Sequence, residues 1–163
     1  MKKIYMIGNT HFDPVWLWRW DEAMASIIST FRSALDRMNE NENFCYSFSA
    51  PAVFEWIENT DPDMFAEIKQ RVEEGRWELG EGWWLQTDCN ALSGESMVRH
   101  GLYSQRYLLD KFGKMSETVF NIDSFGHSAQ IPQIMKGCGL KNYCFFKFFH
   151  GIKVSKNRRC RYF

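Results

Sequence analysis

The sequence has no net charge, no paired-cysteine motif and no long apolar run, and each absence excludes a class of protein. Twenty Lys and Arg balance twenty Asp and Glu, so the basic excess of a dedicated nucleic-acid binder is missing. The five cysteines show no CxxC spacing, which argues against a disulfide framework and a four-cysteine zinc site. No stretch approaches about 18 apolar residues, so we expect no membrane span. The apolar run near the start is too short for a secretory signal, and we expect a cytoplasmic protein with reduced thiols.

Aromatic side chains are abundant, at 17% of the 163 residues, and the seven tryptophans are clustered. Trp16, Trp18 and Trp20 form one group, and Trp83 and Trp84 form another. Such clusters either pack in a core or offer a flat ring to the apolar face of a sugar. Composition alone favours the core and leaves the sugar-binding surface open.

Short β-rich runs alternate with segments of helical period along most of the chain. The runs predict strands at residues 4–8, 43–48, 76–80, 118–122 and 142–146, and helices at about 21–39, 52–59, 62–74, 94–112 and 128–136. This alternation is typical of βα units, so we predict an α/β fold with a parallel β-sheet and flanking helices. Ligands of such folds lie beyond the carboxyl ends of the strands, where polar segments follow two of the predicted strands.

The last segment, residues 148–163, differs from the rest of the chain. Five of the residues from 153 to 161 are basic, and no clear helical or strand period is present. A basic interaction tail is one interpretation. We favour a solvated, disordered end, which is common at termini.

Three polar residues after predicted strands are candidates for a metal site. His11 and Asp13 have the spacing H-x-D, which lets alternate side chains of an extended loop share one ligand. Imidazole and carboxylate suit Zn²⁺, and Asp123 would complete the three protein ligands of a catalytic zinc. Asp123 could also act as the nucleophile of a retaining glycosidase. The alternatives are a polar loop in which His11 and Asp13 bond each other, and a helix cap or ion pair at Asp123.

Three segments in order and spacing resemble glycoside hydrolase family 38, the α-mannosidases. Residues 8–20 (GNTHFDPVWLWRW) look like the opening of that family, and residues 121–128 (NIDSFGHS) look like its nucleophile motif. Residues 81–88 (EGWWLQTD) fit the segment between them. The resemblance covers residues 3–147 and implies the N-terminal portion of a catalytic domain of the β/α glycoside hydrolase/deacetylase type.

The resemblance also implies roles for individual residues. His11, Asp13 and Asp123 would bind one Zn²⁺, and Asp123 would be the catalytic nucleophile as well. Trp16 would stack on the mannose ring, Phe125 would line the same pocket, and His127 would support the motif from behind. The expected partner is an α-mannoside oligosaccharide, with neither nucleic acid nor membrane; the oligomeric state is open.

The chain also departs from the family pattern. The family's fourth zinc ligand, a His, and its acid/base Asp lie far downstream and have no counterpart here. Position 147 is usually Arg in the family and is Lys147 here, and the pattern stops after it. We therefore expect a domain over residues 1–147, a divergent tail over 148–163, and a truncated chain that is inactive alone.

Two other functions remain open from the sequence. One is an inactive remnant that binds carbohydrate through the tryptophan surface without turnover. The other is a metal-dependent polysaccharide deacetylase, which would need a further H-x-x-x-H ligand pair. His100 and His127 do not supply that pair.

Overall fold

A computed structural model describes residues 3, 4, 6, 8–48 and 50–145. The chain forms two compact units, Met1–Leu79 and Gly80–Phe163. Lys147 and the predicted tail over residues 148–163 lie outside the described residues, so the division at residue 147 stays a prediction. In the part of the chain that is described, no helix combines the length and apolar composition needed to cross a membrane.

The first unit alternates strands and helices around a small parallel sheet. Its elements are β1 (Gly8–Asn9), α1 (Trp20–Glu40), β2 (Tyr46–Ser47), α2 (Pro51–Thr60), α3 (Pro62–Glu73) and β3 (Trp77–Glu78). The strands pair in the order β1-β2-β3, with Gly8 opposite Tyr46 and Tyr46 opposite Trp77. All the pairs are parallel, which confirms the parallel α/β arrangement predicted from the sequence.

The core of the first unit lies between α1 and the sheet. Ile27, Phe31 and Leu35 recur on one face of α1 and are fully buried. The Phe31 ring meets Trp77 edge-on with ring centroids 5.1 Å apart, and Trp77 donates a hydrogen bond of 2.9 Å to the Phe48 carbonyl. Burying each such side chain stabilises the fold by about 1.5–3 kcal/mol.

The described residues of the second unit form two strands and two helices. Its elements are α4 (Gly94–Phe112), β4 (Thr118–Asn121), α5 (Ile131–Gly137) and β5 (Asn142–Phe145). β4 and β5 pair in parallel, from Thr118 opposite Asn142 to Asn121 opposite Phe145. The buried cluster of this unit contains Trp83, Cys89, Met97, Val119, Ile131, Met135 and Leu140. The described strands therefore form two parallel sheets, of three and two strands.

Helix α5 begins later than predicted. The pattern indicated a start at Ser128, whereas the helix runs from Ile131 to Gly137. Pro132 explains the difference, because a proline fits the first turn of a helix, and deeper inside its ring would clash with the carbonyl four residues earlier. Residues 128–130 instead form a turn in which Ser128 Oγ accepts a 3.3 Å hydrogen bond from the Gln130 amide.

Candidate functional site

The predicted metal ligands His11 and Asp13 lie in the loop after β1. The side-chain nitrogen of Asn9 donates a 2.8 Å hydrogen bond to the Ser47 carbonyl and connects the end of β1 to β2. Beyond it, Nε2 of His11 lies 3.4 Å from Oδ1 of Asp13. Their side chains are 28% and 41% exposed, and Nε2 of His11 itself is buried.

The spacing of these two atoms suits a shared metal ion. Zinc bonds of about 2.0–2.1 Å at tetrahedral angles place neighbouring ligand atoms about 3.3 Å apart. An imidazole nitrogen and a carboxylate oxygen are also donors that zinc accepts. The same 3.4 Å separation permits a direct ion pair when the imidazole is protonated. His11 and Asp13 therefore fit zinc in both donor chemistry and separation.

The tryptophan segment that follows presents one ring to solvent. Trp18 donates a 2.9 Å hydrogen bond from its indole nitrogen to the Asp13 carbonyl, which folds the segment back on the loop. Trp16 meets the Trp18 ring edge-on with centroids 5.4 Å apart, and 65% of Trp16 is exposed. Trp16 is thus held by its neighbour while its ring surface stays available for stacking.

Asp123 lies in the second unit, two residues after β4 ends. Oε1 of Gln86 accepts hydrogen bonds from the backbone nitrogens of Ile122 and Asp123, at 3.1 and 3.4 Å. Phe125 is 62% exposed, and its carbonyl accepts a 3.3 Å hydrogen bond from the Asn90 side chain. The sequence motif therefore lies beyond the carboxyl end of a parallel strand, as predicted.

A cluster of hydrogen-bonded polar side chains contacts this segment in the same unit. Tyr143 and His127 share a 2.7 Å hydrogen bond between the phenol oxygen and Nδ1. Asn121 donates to the thiol of Cys89, which also lies 3.9 Å from the Tyr143 oxygen. Burial is the main cause that raises the pKa of Tyr143, with a smaller contribution from Cys89, so its phenol stays neutral.

The predicted site residues fall into two groups. His11 and Asp13 come together in the first unit, where Trp16 also lies. Asp123 and Phe125 belong to the second unit, so the joint set of His11, Asp13 and Asp123 stays a prediction.

Two residues that contact the Asp123 segment were given no role by the sequence analysis. Gln86 lies in the EGWWLQTD segment and Asn90 just after it, and both support the Asp123 segment. No local signal was available for them, because the two contacts join residues 36 and 35 positions apart in the sequence.

A sequence model of one protein family matches almost the whole chain. The family is described as "Glycosyl hydrolases family 38 N-terminal domain", and the match covers residues 1–159. Mouse (Mus musculus) alpha-mannosidase 2C1 is 35% identical over 140 residues, which are 86% of this chain and 14% of the mouse protein. Alpha-mannosidase G of Dictyostelium discoideum is 30% identical over 141 residues, covering 86% of this chain and 13% of that protein.

Solved structures show the same fold. An alpha-mannosidase from Enterococcus faecalis V583 superposes with a TM-score of 0.77 at 22% identity, over 85% of this chain and 16% of that one. A 4-alpha-glucanotransferase from Thermococcus litoralis gives a TM-score of 0.61 at 18% identity, over 84% of this chain and 21% of that one. The chain spans about one seventh of the length of the curated relatives named above.

Proposed function

Because this chain belongs to glycosyl hydrolase family 38, we propose that it carries zinc ligands and the nucleophile for cleavage of α-mannosidic bonds. The family is one of glycosidases, and the named relatives are α-mannosidases. The proposed substrate is accordingly a glycan with a terminal α-mannose. The spacing of His11 and Asp13 is the single observation that supports the site most strongly.

We assign the metal to His11, Asp13 and Asp123. The first two offer an imidazole nitrogen and a carboxylate oxygen at a separation that suits zinc. Asp123 would add a second carboxylate and leave coordination open for a sugar. When bound, Zn²⁺ supplies a Lewis acid for sugar hydroxyls and for the charge of the transition state. The chain's own task is to hold the three donors in place.

Asp123 is the proposed nucleophile of a retaining reaction. Its carboxylate oxygen attacks the anomeric carbon as the bond from that carbon to the leaving-group oxygen breaks, a glycosyl ester forms, and the leaving-group oxygen takes a proton from water. Water then attacks the same carbon from the opposite face and loses a proton to solvent, which releases mannose and restores the carboxylate. Two inversions give net retention of configuration. Asp123 follows β4 and is half-buried, so the strand fixes its position while part of the residue stays exposed to solvent.

Trp16 and Phe125 are the proposed sugar contacts. The exposed face of Trp16 offers an apolar surface for the C–H groups of a pyranose. Phe125 projects a second exposed ring, two residues after Asp123. These rings also support carbohydrate binding without turnover, which is the second candidate function. Covalent capture of Asp123 separates the two candidates.

Zinc titration by calorimetry tests the proposed site. The unmodified chain should bind one Zn²⁺, and His11→Ala, Asp13→Asn and Asp123→Asn should each weaken binding by at least about tenfold. Asp63→Asn, an exposed position on α3, is the matched control and should bind as the parent does. Parent-like zinc affinity in all three ligand variants would contradict the assignment.

A further inference from the structure

A single side chain holds the backbone at the nucleophile motif. Oε1 of Gln86 accepts from the N–H groups of both Ile122 and Asp123, at 3.1 and 3.4 Å. These partners lie 36 and 37 residues further along the chain. One amide oxygen therefore fixes two consecutive backbone donors just before the carboxylate that is proposed to react.

These two donors lie beyond the described pairing of β4. Within the described residues, the parallel pairing of β4 with β5 reaches Asn121, opposite Phe145. Ile122 and Asp123 follow it and are only partly exposed, so an acceptor within the protein stabilises their N–H groups. Gln86 supplies that acceptor from its side chain and continues the hydrogen bonding past β4.

Neighbours of Gln86 contact the same segment on both sides of Asp123. Asn121 donates to the thiol of Cys89, which is buried. The side chain of Asn90 donates to the Phe125 carbonyl at 3.3 Å. Residues 86–90, called the clamp loop from here on, thus contact the segment at residues 121, 122, 123 and 125. Contacts that bracket one residue restrict its backbone more than a single hydrogen bond does.

We propose that Gln86 is a positioning residue that sets the backbone at Asp123, and this role rests on the proposed function. The essential property is its side-chain oxygen, because both partners are donors. Glu at this position keeps an acceptor of the same length, whereas Ala removes it. Gln86 touches neither substrate nor metal in this account and acts only through Asp123.

Amide hydrogen exchange of the full chain tests the contact of the clamp loop with Ile122 and Asp123 without any metal or substrate. In Gln86→Ala, the amides of Ile122 and Asp123 should exchange at least about tenfold faster, because a lost hydrogen bond of about 1.4 kcal/mol corresponds to that factor. Gln86→Glu should keep the parent rates. Gln133→Ala, an exposed glutamine on α5, is the matched control. Unchanged exchange at both amides in Gln86→Ala would overturn the proposal.

Zinc affinity then tests the link to Asp123. Gln86→Ala should weaken Zn²⁺ binding about tenfold, as losses of outer supports of a metal site do, and Gln86→Glu should restore it. In an Asp123→Asn background, Gln86→Ala should have no further effect. If Asp123→Asn weakens binding and Gln86→Ala does not, the positioning role is contradicted and the proposed function is not. If Asp123→Asn leaves the affinity unchanged, the proposed function has failed.

Discussion

Nε2 of His11 and Oδ1 of Asp13 lie 3.4 Å apart in the loop that follows β1. One residue, Phe12, separates them, a spacing at which side chains of an extended segment point to the same side. The separation is close to that of two ligand atoms on one tetrahedral zinc, about 3.3 Å. In the proposed function, this pair supplies two of the three zinc ligands.

Trp16 and Trp77 should respond to mutation in opposite ways. Trp77 is fully buried, so Trp77→Ala should cost about 3–5 kcal/mol of the free energy of unfolding. Trp16 is 65% exposed, so Trp16→Ala should change that free energy by no more than about 0.5 kcal/mol. Trp16→Ala should instead weaken binding of methyl α-mannoside about tenfold, since a stacked ring contributes about 1.4 kcal/mol.

Urea unfolding and calorimetry with the zinc-loaded chain measure the two effects. Trp16→Phe keeps an aromatic face and is the control for binding. If Trp16→Ala binds the sugar as the parent does, Trp16 has no stacking role.

Gly101 should be intolerant of a side chain although it lies within helix α4. A Cβ there would clash with Sγ of Cys138 and come 3.1 Å from the Trp83 ring. Gly101→Ala should therefore destabilise the chain by about 1–3 kcal/mol, against the usual gain from alanine in a helix. Gly94→Ala has nothing within 4 Å of its Cβ and is the control on the same helix.

Chemical denaturation of these variants measures the change in free energy of unfolding. Cys138→Ala in the Gly101→Ala background removes the sulfur and should restore part of the loss. Equal stability of Gly101→Ala and Gly94→Ala would show that α4 can move away from Cys138.

Glu81 should make stability fall with rising pH. Burial raises the pKa of this carboxyl from 4.5 to about 7. Below pH 4.5 the carboxyl is protonated in both the folded and the unfolded chain, so its titration does not change the free energy of unfolding. Between pH 4.5 and about 7 the carboxyl ionises in the unfolded chain and stays protonated in the folded chain. This difference lowers the free energy of unfolding by about 3 kcal/mol across the window.

Urea unfolding at several pH values tests this dependence. Glu81→Gln cannot titrate, so its stability relative to the parent should rise from pH 4.5 to about 7 and then level off. Glu78→Gln, exposed in β3, should follow the parent curve. A constant difference between Glu81→Gln and the parent at all pH values would contradict burial as the cause.

Local signals were sufficient to predict both ends of helix α4. Ser93 was expected to cap α4, and its Oγ accepts a 3.2 Å hydrogen bond from the Ser96 amide. Gly113 was expected to end the helix, and it adopts a left-handed conformation with φ of 70°. Both signals depend on residues within one helical turn, so the sequence alone contains them.

Strand lengths and the support of Asp123 could not be predicted in the same way. The run at residues 43–48 predicted six strand residues, and the pairing includes only Tyr46 and Ser47. Pairing requires a partner at the right register, which a local pattern does not encode. The contact of Gln86 with Asp123 joins residues 37 positions apart and likewise depends on the finished fold.

The most direct test of the account is covalent capture of Asp123. A mannosyl fluoride with a second fluorine at C5 suits the test, because fluoride leaves C1 without an acid and the ring fluorine slows hydrolysis of the ester. The carboxylate oxygen of Asp123 should bond to C1 as the C1–F bond breaks, and mass spectrometry of the zinc-loaded chain should find one sugar on the peptide that contains it. Asp123→Asn should stay unlabelled. No label, or a label on another carboxylate, would contradict the claim that Asp123 is the nucleophile.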